Sequence, residues 1–155
     1  MMFRTHIAFG LLAGMLSLKY LNVPNPYIYI LIVCTAAAMP DIDESESRIG
    51  KKIRPLSWLI EQIFGHRNLF HSIFPLIAIY IIFFHCLKWN VAGAALLIGY
   101  GSHLFMDMLT YMGIGPLHPF YRKRITGFIK TGGLVEHILF ILLVLADIII
   151  LSGFL

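Results

Sequence analysis

The chain has 155 residues, enough for one domain, and 59% of them are hydrophobic, with a mean hydropathy of +0.82. Only 13% are charged, against roughly a quarter in soluble domains, which argues against a soluble enzyme, a disordered chain and a disulfide-rich scaffold. The formal charge is +4, and the two cysteines, Cys34 and Cys86, lie in apolar stretches without a CxxC spacing, as small hydrophobes rather than a zinc ribbon or redox pair.

The composition is that of an all-α integral membrane protein, and five apolar stretches approach the length of about 20 residues that crosses a bilayer. The first, 5–21, contains Gly10-x-x-x-Gly14, a close-packing spacing for membrane helices, and lacks the cleavage site of a signal peptide. The second, 26–39, stops at Pro40-Asp41-Ile42-Asp43. The third, 72–87, is expected to begin with Ser72 as N-cap and Pro75 in its first turn. The fourth covers 91–111, and the fifth, 133–151, is almost unbroken Ile, Leu and Val. No internal repeat is present, so 1–155 reads as a single polytopic domain.

Tight turns at 22–26 and 88–90 pair helices one with two and three with four as antiparallel hairpins. The remaining connections, about 44–71 and 112–132, are long and basic and fall on the same side as the N-terminus. That side carries ten of the twelve Lys and Arg residues, and the other carries Lys19 and Lys88. The positive-inside rule makes the N-terminus and both long connections cytoplasmic. Within the first connection, Leu56, Leu59, Ile60, Ile63 and Phe64 share one helical face, which predicts a short interfacial helix over 56–64. Lys51, Lys52 and Arg54 precede it and face anionic lipid. Membrane lipid is thus the expected partner, and no nucleic-acid partner is indicated.

Charged groups inside a spanning helix cost roughly 2.5–3.5 kcal/mol each on insertion scales, so their placement carries information. His6 lies in the first turn of helix one, Asp41 and Asp43 end helix two, and His66 and His71 bracket the entry to helix three. His103 and Asp107 lie in the cytoplasmic half of helix four, and Glu136 in the first turn of helix five. Every span contributes at its cytoplasmic end. His103 and Asp107, four apart, share one helix face, and a metal ion or a hydrogen bond could join them. Glu136 could equally cap its own helix. His85 and His118, the latter in a Pro-flanked loop, remain unassigned, and Asp147 lies apart from the cluster, with Lys19 or Lys88 as its candidate partner.

The combined set of imidazoles and carboxylates, without sulfur, suits a divalent metal: Zn²⁺ first, with Mn²⁺ or Fe²⁺ also compatible, as one ion or two. Such a site would act on a phosphoester through activated water, with Glu136 or one of Asp41 and Asp43 as general base. Arg67 would add a bidentate contact to phosphate. The alternatives are a non-catalytic metal-binding or structural membrane protein and, less favoured for want of midplane charges and inverted repeats, a transporter.

His6, Pro40-Asp41-Ile42-Asp43, His66-Arg67 followed by His71-Ser72, and Ser102-His103-x-x-x-Asp107 together resemble, in the same order and at helix ends, the motifs of the YdjM-type membrane-bound metal-dependent hydrolases. The resemblance spans the chain, and the combination is far more specific than any one motif. It departs between the two histidines, where the family often has Gly and Thr and this chain has Asn68, Leu69 and Phe70. The resemblance implies a metal site, a distant similarity to zinc-dependent phospholipases C, and membership of a group described as LexA-controlled in the DNA-damage response.

Overall fold

A computed structural model describes residues 1–43 and 69–153, without the side chains of Ile42 and Asp43. Among the described residues the protein is helical, with only two isolated β-bridges and no strand. Helix α1 covers Phe3–Ser17 and α2 covers Pro26–Ala38, followed by a 3₁₀ turn, Met39–Asp43. Helix α3 covers Phe74–Tyr80 and runs on as a π-helical segment, Ile81–Cys86. Helix α4 covers Asn90–Met108 and α5 covers Leu134–Ser152. These bounds lie close to the five expected stretches. By length and composition, α4 and α5 alone among the described helices are long and apolar enough to cross a membrane.

Local chemistry sets the ends. Asn25 caps α2, its side-chain oxygen accepting from Ile28 N at 3.1 Å, with Pro26 in the first turn where no N–H is needed. Helix α3 starts one residue later than expected. The N-cap is Ile73 rather than Ser72, whose hydroxyl donates back to the Leu69 carbonyl at 2.6 Å and lies 3.4 Å from Phe74 N. The hydroxyl is thus committed to the turn before the helix. Between α3 and α4, Lys88 adopts φ 60°, the left-handed conformation that reverses the chain in so few residues.

Helix α4 is the centre of the bundle, packed against α2, α1 and α3, while α2 also packs on α1 and α5 leans chiefly on α1. Glycines allow the approach. A Cβ on Gly99 of α4 would lie 2.2 Å from the Val33 carbonyl oxygen, and one on Gly10 of α1 would lie 2.7 Å from Ala37 Cβ. Gly14 meets Ile30 and Val33 in the same way, so the Gly10-x-x-x-Gly14 spacing does place α1 on α2. These contacts set the positions of the ends that carry His6, Asp41 and His103.

A candidate metal centre at one end of the bundle

His6 projects from the first turn of α1, Asp41 from the 3₁₀ turn after α2, His71 from the segment entering α3, and His103 and Asp107 from the last two turns of α4. The Pro40-led turn matters here, because it breaks the helical rotation of α2 and swings Asp41 back under the bundle. All five side chains are buried, and Asp41 alone keeps any exposure.

His103 Nε2 lies 3.3 Å from His71 Nε2, 3.6 Å from Asp41 Oδ1 and 3.6 Å from Asp107 Oδ2. His71 Nε2 lies 3.4 Å from Asp107 Oδ2, and His6 Nε2 lies 3.3 Å from Asp107 Oδ1. The His6 and His103 rings stack at 3.7 Å between centroids, only 10° from parallel. The amino group of Met1 also lies on Asp107 Oδ1, a cation on the carboxylate at the middle of the cluster.

His103 Nδ1 is 2.8 Å from the Ala37 carbonyl oxygen. A carbonyl only accepts, so Nδ1 carries a hydrogen, and in the neutral ring that a metal requires Nε2 presents its lone pair to the cluster. That lone pair faces two carboxylate oxygens, which are acceptors as well. Neither ring nitrogen of His6 makes a hydrogen bond among the described residues. Buried acceptors facing one another are costly unless a cation sits between them.

The donor set fits such a cation. His6, Asp41 and His103 form one group of three and His71, His103 and Asp107 another, each with its donor atoms within 4.8 Å. Bonds of about 2.0–2.1 Å from zinc to nitrogen or oxygen give tetrahedral donor–donor edges of roughly 3.3–3.4 Å, and the shortest separations here match that edge. The Ala37 carbonyl is the outer partner that fixes a ligand histidine's tautomer. The spacing of His103 and Asp107 pointed to this centre. The Ala37 carbonyl had no signal in the sequence, since any residue type supplies one.

Glu136 does not join the cluster. Its two oxygens accept the backbone N–H groups of Met2 and Gly132, each at 2.6 Å, which ties the start of α1 to the turn before α5. Asp147 lies in a groove of about 500 Å³ between α1 and α5, and among the described residues its Oδ1 has no hydrogen-bond partner and neither Lys19 nor Lys88 pairs with it. Residues His66, Arg67, Lys51, Lys52 and Arg54, the helix expected over 56–64 and the side chain of Asp43 lie outside the described residues.

A helical bundle of this apolarity fits a membrane protein, and the buried His–Asp cluster at one end is a set of groups that could hold a metal ion. The chain belongs to the YdjM inner membrane protein family, whose model matches residues 1–153. It is 34% identical over 146 residues to the uncharacterized protein YvsG of Bacillus subtilis (strain 168), covering 93% of this chain and 90% of that one. It is also 35% identical over 86 residues to the inner membrane protein YdjM of Escherichia coli (strain K12), covering 52% of this chain and 44% of the relative, and equally so to that of Shigella flexneri. No solved structure matches the chain. These relatives support a bacterial inner-membrane location.

Proposed function

We propose that this protein is a membrane-embedded metal-dependent hydrolase that cleaves a phosphoester of a lipid or similar amphiphile at the cytoplasmic leaflet. In this reading the five described helices are five spans, with the N-terminus in the cytoplasm. Ten of twelve basic residues on one side support that orientation. Helices α1 to α3 are short for a bilayer; the 15 residues of α1 extend about 22 Å, which local thinning of the bilayer accommodates.

One observation carries the proposal: five buried donors from four chain segments meet at 3.3–3.6 Å at one end of the bundle. His103, His71 and His6 would hold an ion through Nε2, and Asp107, with one oxygen toward His6 and the other toward His71, would join the two sides. A divalent ion bound there supplies Lewis acidity toward a phosphoryl oxygen and acidifies water. Asp41 is the one donor of the five that keeps any exposure, so it would be the group to take a proton from the attacking water. Glu136, with both oxygens engaged by backbone N–H groups, serves to hold α1 rather than to act as base. Arg67 and the Lys51, Lys52 and Arg54 cluster are assigned the phosphate and headgroup from sequence alone.

A second reading, a non-catalytic metal site that clamps the helices, is favoured by the full burial of four of the five donors, since closed ligand sets are structural. The test is release of phosphate or headgroup from phospholipids and prenyl phosphates by detergent-purified, metal-loaded protein. Turnover lost in Asp107→Ala supports the hydrolase. Bound metal that raises the unfolding temperature without any turnover supports the clamp.

A further inference from the structure

The connection from α4 to α5 was expected as a loop, yet it is a folded tongue. Thr110 pairs with Ile129 and Ile114 with Ile125, with Gly127 N donating to the Thr110 carbonyl at 2.8 Å and Ile125 N to the Ile114 carbonyl at 2.8 Å. Arg124 clasps the fold from one side, donating to the carbonyls of Met112 and Gly113 at 3.1 and 3.2 Å. Its root is fixed to the metal centre's own elements, through Thr110 Oγ1 to the Asp107 carbonyl at 2.8 Å and Ile73 N to the Pro116 carbonyl at 2.9 Å.

This rigid tongue turns aromatic side chains outward. Phe120 is 85% exposed, Phe128 70% and Tyr121 56%. Between them in sequence lie Arg122 and Lys123, exposed and without an ion pair among the described residues, and Lys130 follows. No acidic residue occurs between Met108 and Val135. A surface rimmed by cations and carrying fixed, exposed aromatic rings is poorly matched to water. It matches the headgroup zone of a bilayer, where aromatic rings partition and cations meet anionic phosphate. The tongue joins the two helices long enough to cross a membrane, so its root is held at the edge of one.

We infer that residues 109–130 form a docking surface for anionic phospholipid headgroups, with Phe120, Tyr121 and Phe128 seated at the headgroup–acyl boundary and Arg122, Lys123 and Lys130 on lipid phosphates. The inference rests on the membrane location and not on hydrolysis. The surface lies beside the metal centre, so it would also concentrate anionic lipid there.

The test uses the full chain in nanodiscs of equal phosphatidylglycerol and phosphatidylcholine, followed by native mass spectrometry of the retained lipid. The wild type should retain phosphatidylglycerol several-fold over phosphatidylcholine, and the combined Arg122→Gln, Lys123→Gln and Lys130→Gln variant should fall to near parity with its metal content unchanged. Equal retention by the wild type, or an undiminished preference in the variant, overturns the inference. An independent measurement places Phe120→Trp as the sole tryptophan, with Trp58→Phe and Trp89→Phe. Quenching by lipids brominated high on the acyl chain supports the docking surface. Quenching by aqueous iodide alone overturns it and points to a water-facing surface for an acidic soluble partner.

Discussion

The His103 Nδ1 nitrogen meets the backbone carbonyl of Ala37 at 2.8 Å, across the closest helix pair of the bundle. This one contact couples packing to chemistry, because the approach of α2 to α4 decides which nitrogen of His103 faces the cluster. Gly99 permits that approach. A Cβ there would lie 2.2 Å from a carbonyl oxygen of α2, which cannot turn aside as a side-chain tip could. Gly99→Ala should therefore destabilise the protein by about 1–3 kcal/mol and weaken metal binding along with it. Gly101, on the same helix, has nothing within 4 Å of its would-be Cβ, so Gly101→Ala should be neutral or stabilising by up to about 1 kcal/mol. Thermal unfolding of the two variants in one detergent checks the pair.

Glu136 offers a second prediction. A carboxylate accepting two backbone N–H groups contributes roughly 1.5–3 kcal/mol per bond to a charged group, so Glu136→Ala should lower stability by about 2 kcal/mol or more. It should also free the first turn of α1, which carries His6, and reduce metal affinity on the order of 10- to 100-fold. Glu136→Gln, which keeps one acceptor, should fall between. Calorimetric titration with zinc distinguishes this holding role from that of a base, for which the Gln variant would bind metal normally and lose only turnover.

Asp147 is a buried carboxyl whose Oδ1 has no hydrogen-bond partner among the described residues, in a groove lined by Arg4 and by Leu11, Met15, Val144 and Ile148. Burying a polar group unpartnered costs about 1–3 kcal/mol by mutational measures. Asp147→Leu should raise the unfolding temperature and leave metal content unchanged. A lower unfolding temperature would show that the carboxyl has a stabilising partner.

Much of the fold was legible because hydropathy and turn chemistry are local. The Asn25–Pro26 start of α2, the Gly10 and Gly14 contact face and the gathering of His6, Asp41, His71, His103 and Asp107 at one end all followed from spacing. What escaped was set by groups without sequence identity or by distant pairing. The Ala37 carbonyl is backbone, and the Met2 N–H that occupies Glu136 comes from 134 residues away. The bridges of the 109–130 tongue join residues with no hydrophobic alternation to announce a strand. The expected partnership of Asp147 with Lys19 or Lys88 failed because opposite charge in the same half of a membrane does not by itself bring side chains together.

The account's central claim is that the five donors hold one metal centre, and metal content tests it most directly. Detergent-purified wild type, loaded with zinc or manganese and freed of excess, should carry one or two equivalents by elemental mass spectrometry. His103→Ala, which removes the residue common to both donor groups, should carry essentially none, and Asp41→Ala should carry less than the wild type. A folded wild type that binds no metal under these conditions, or a His103→Ala variant that binds as much as the wild type, would contradict the account.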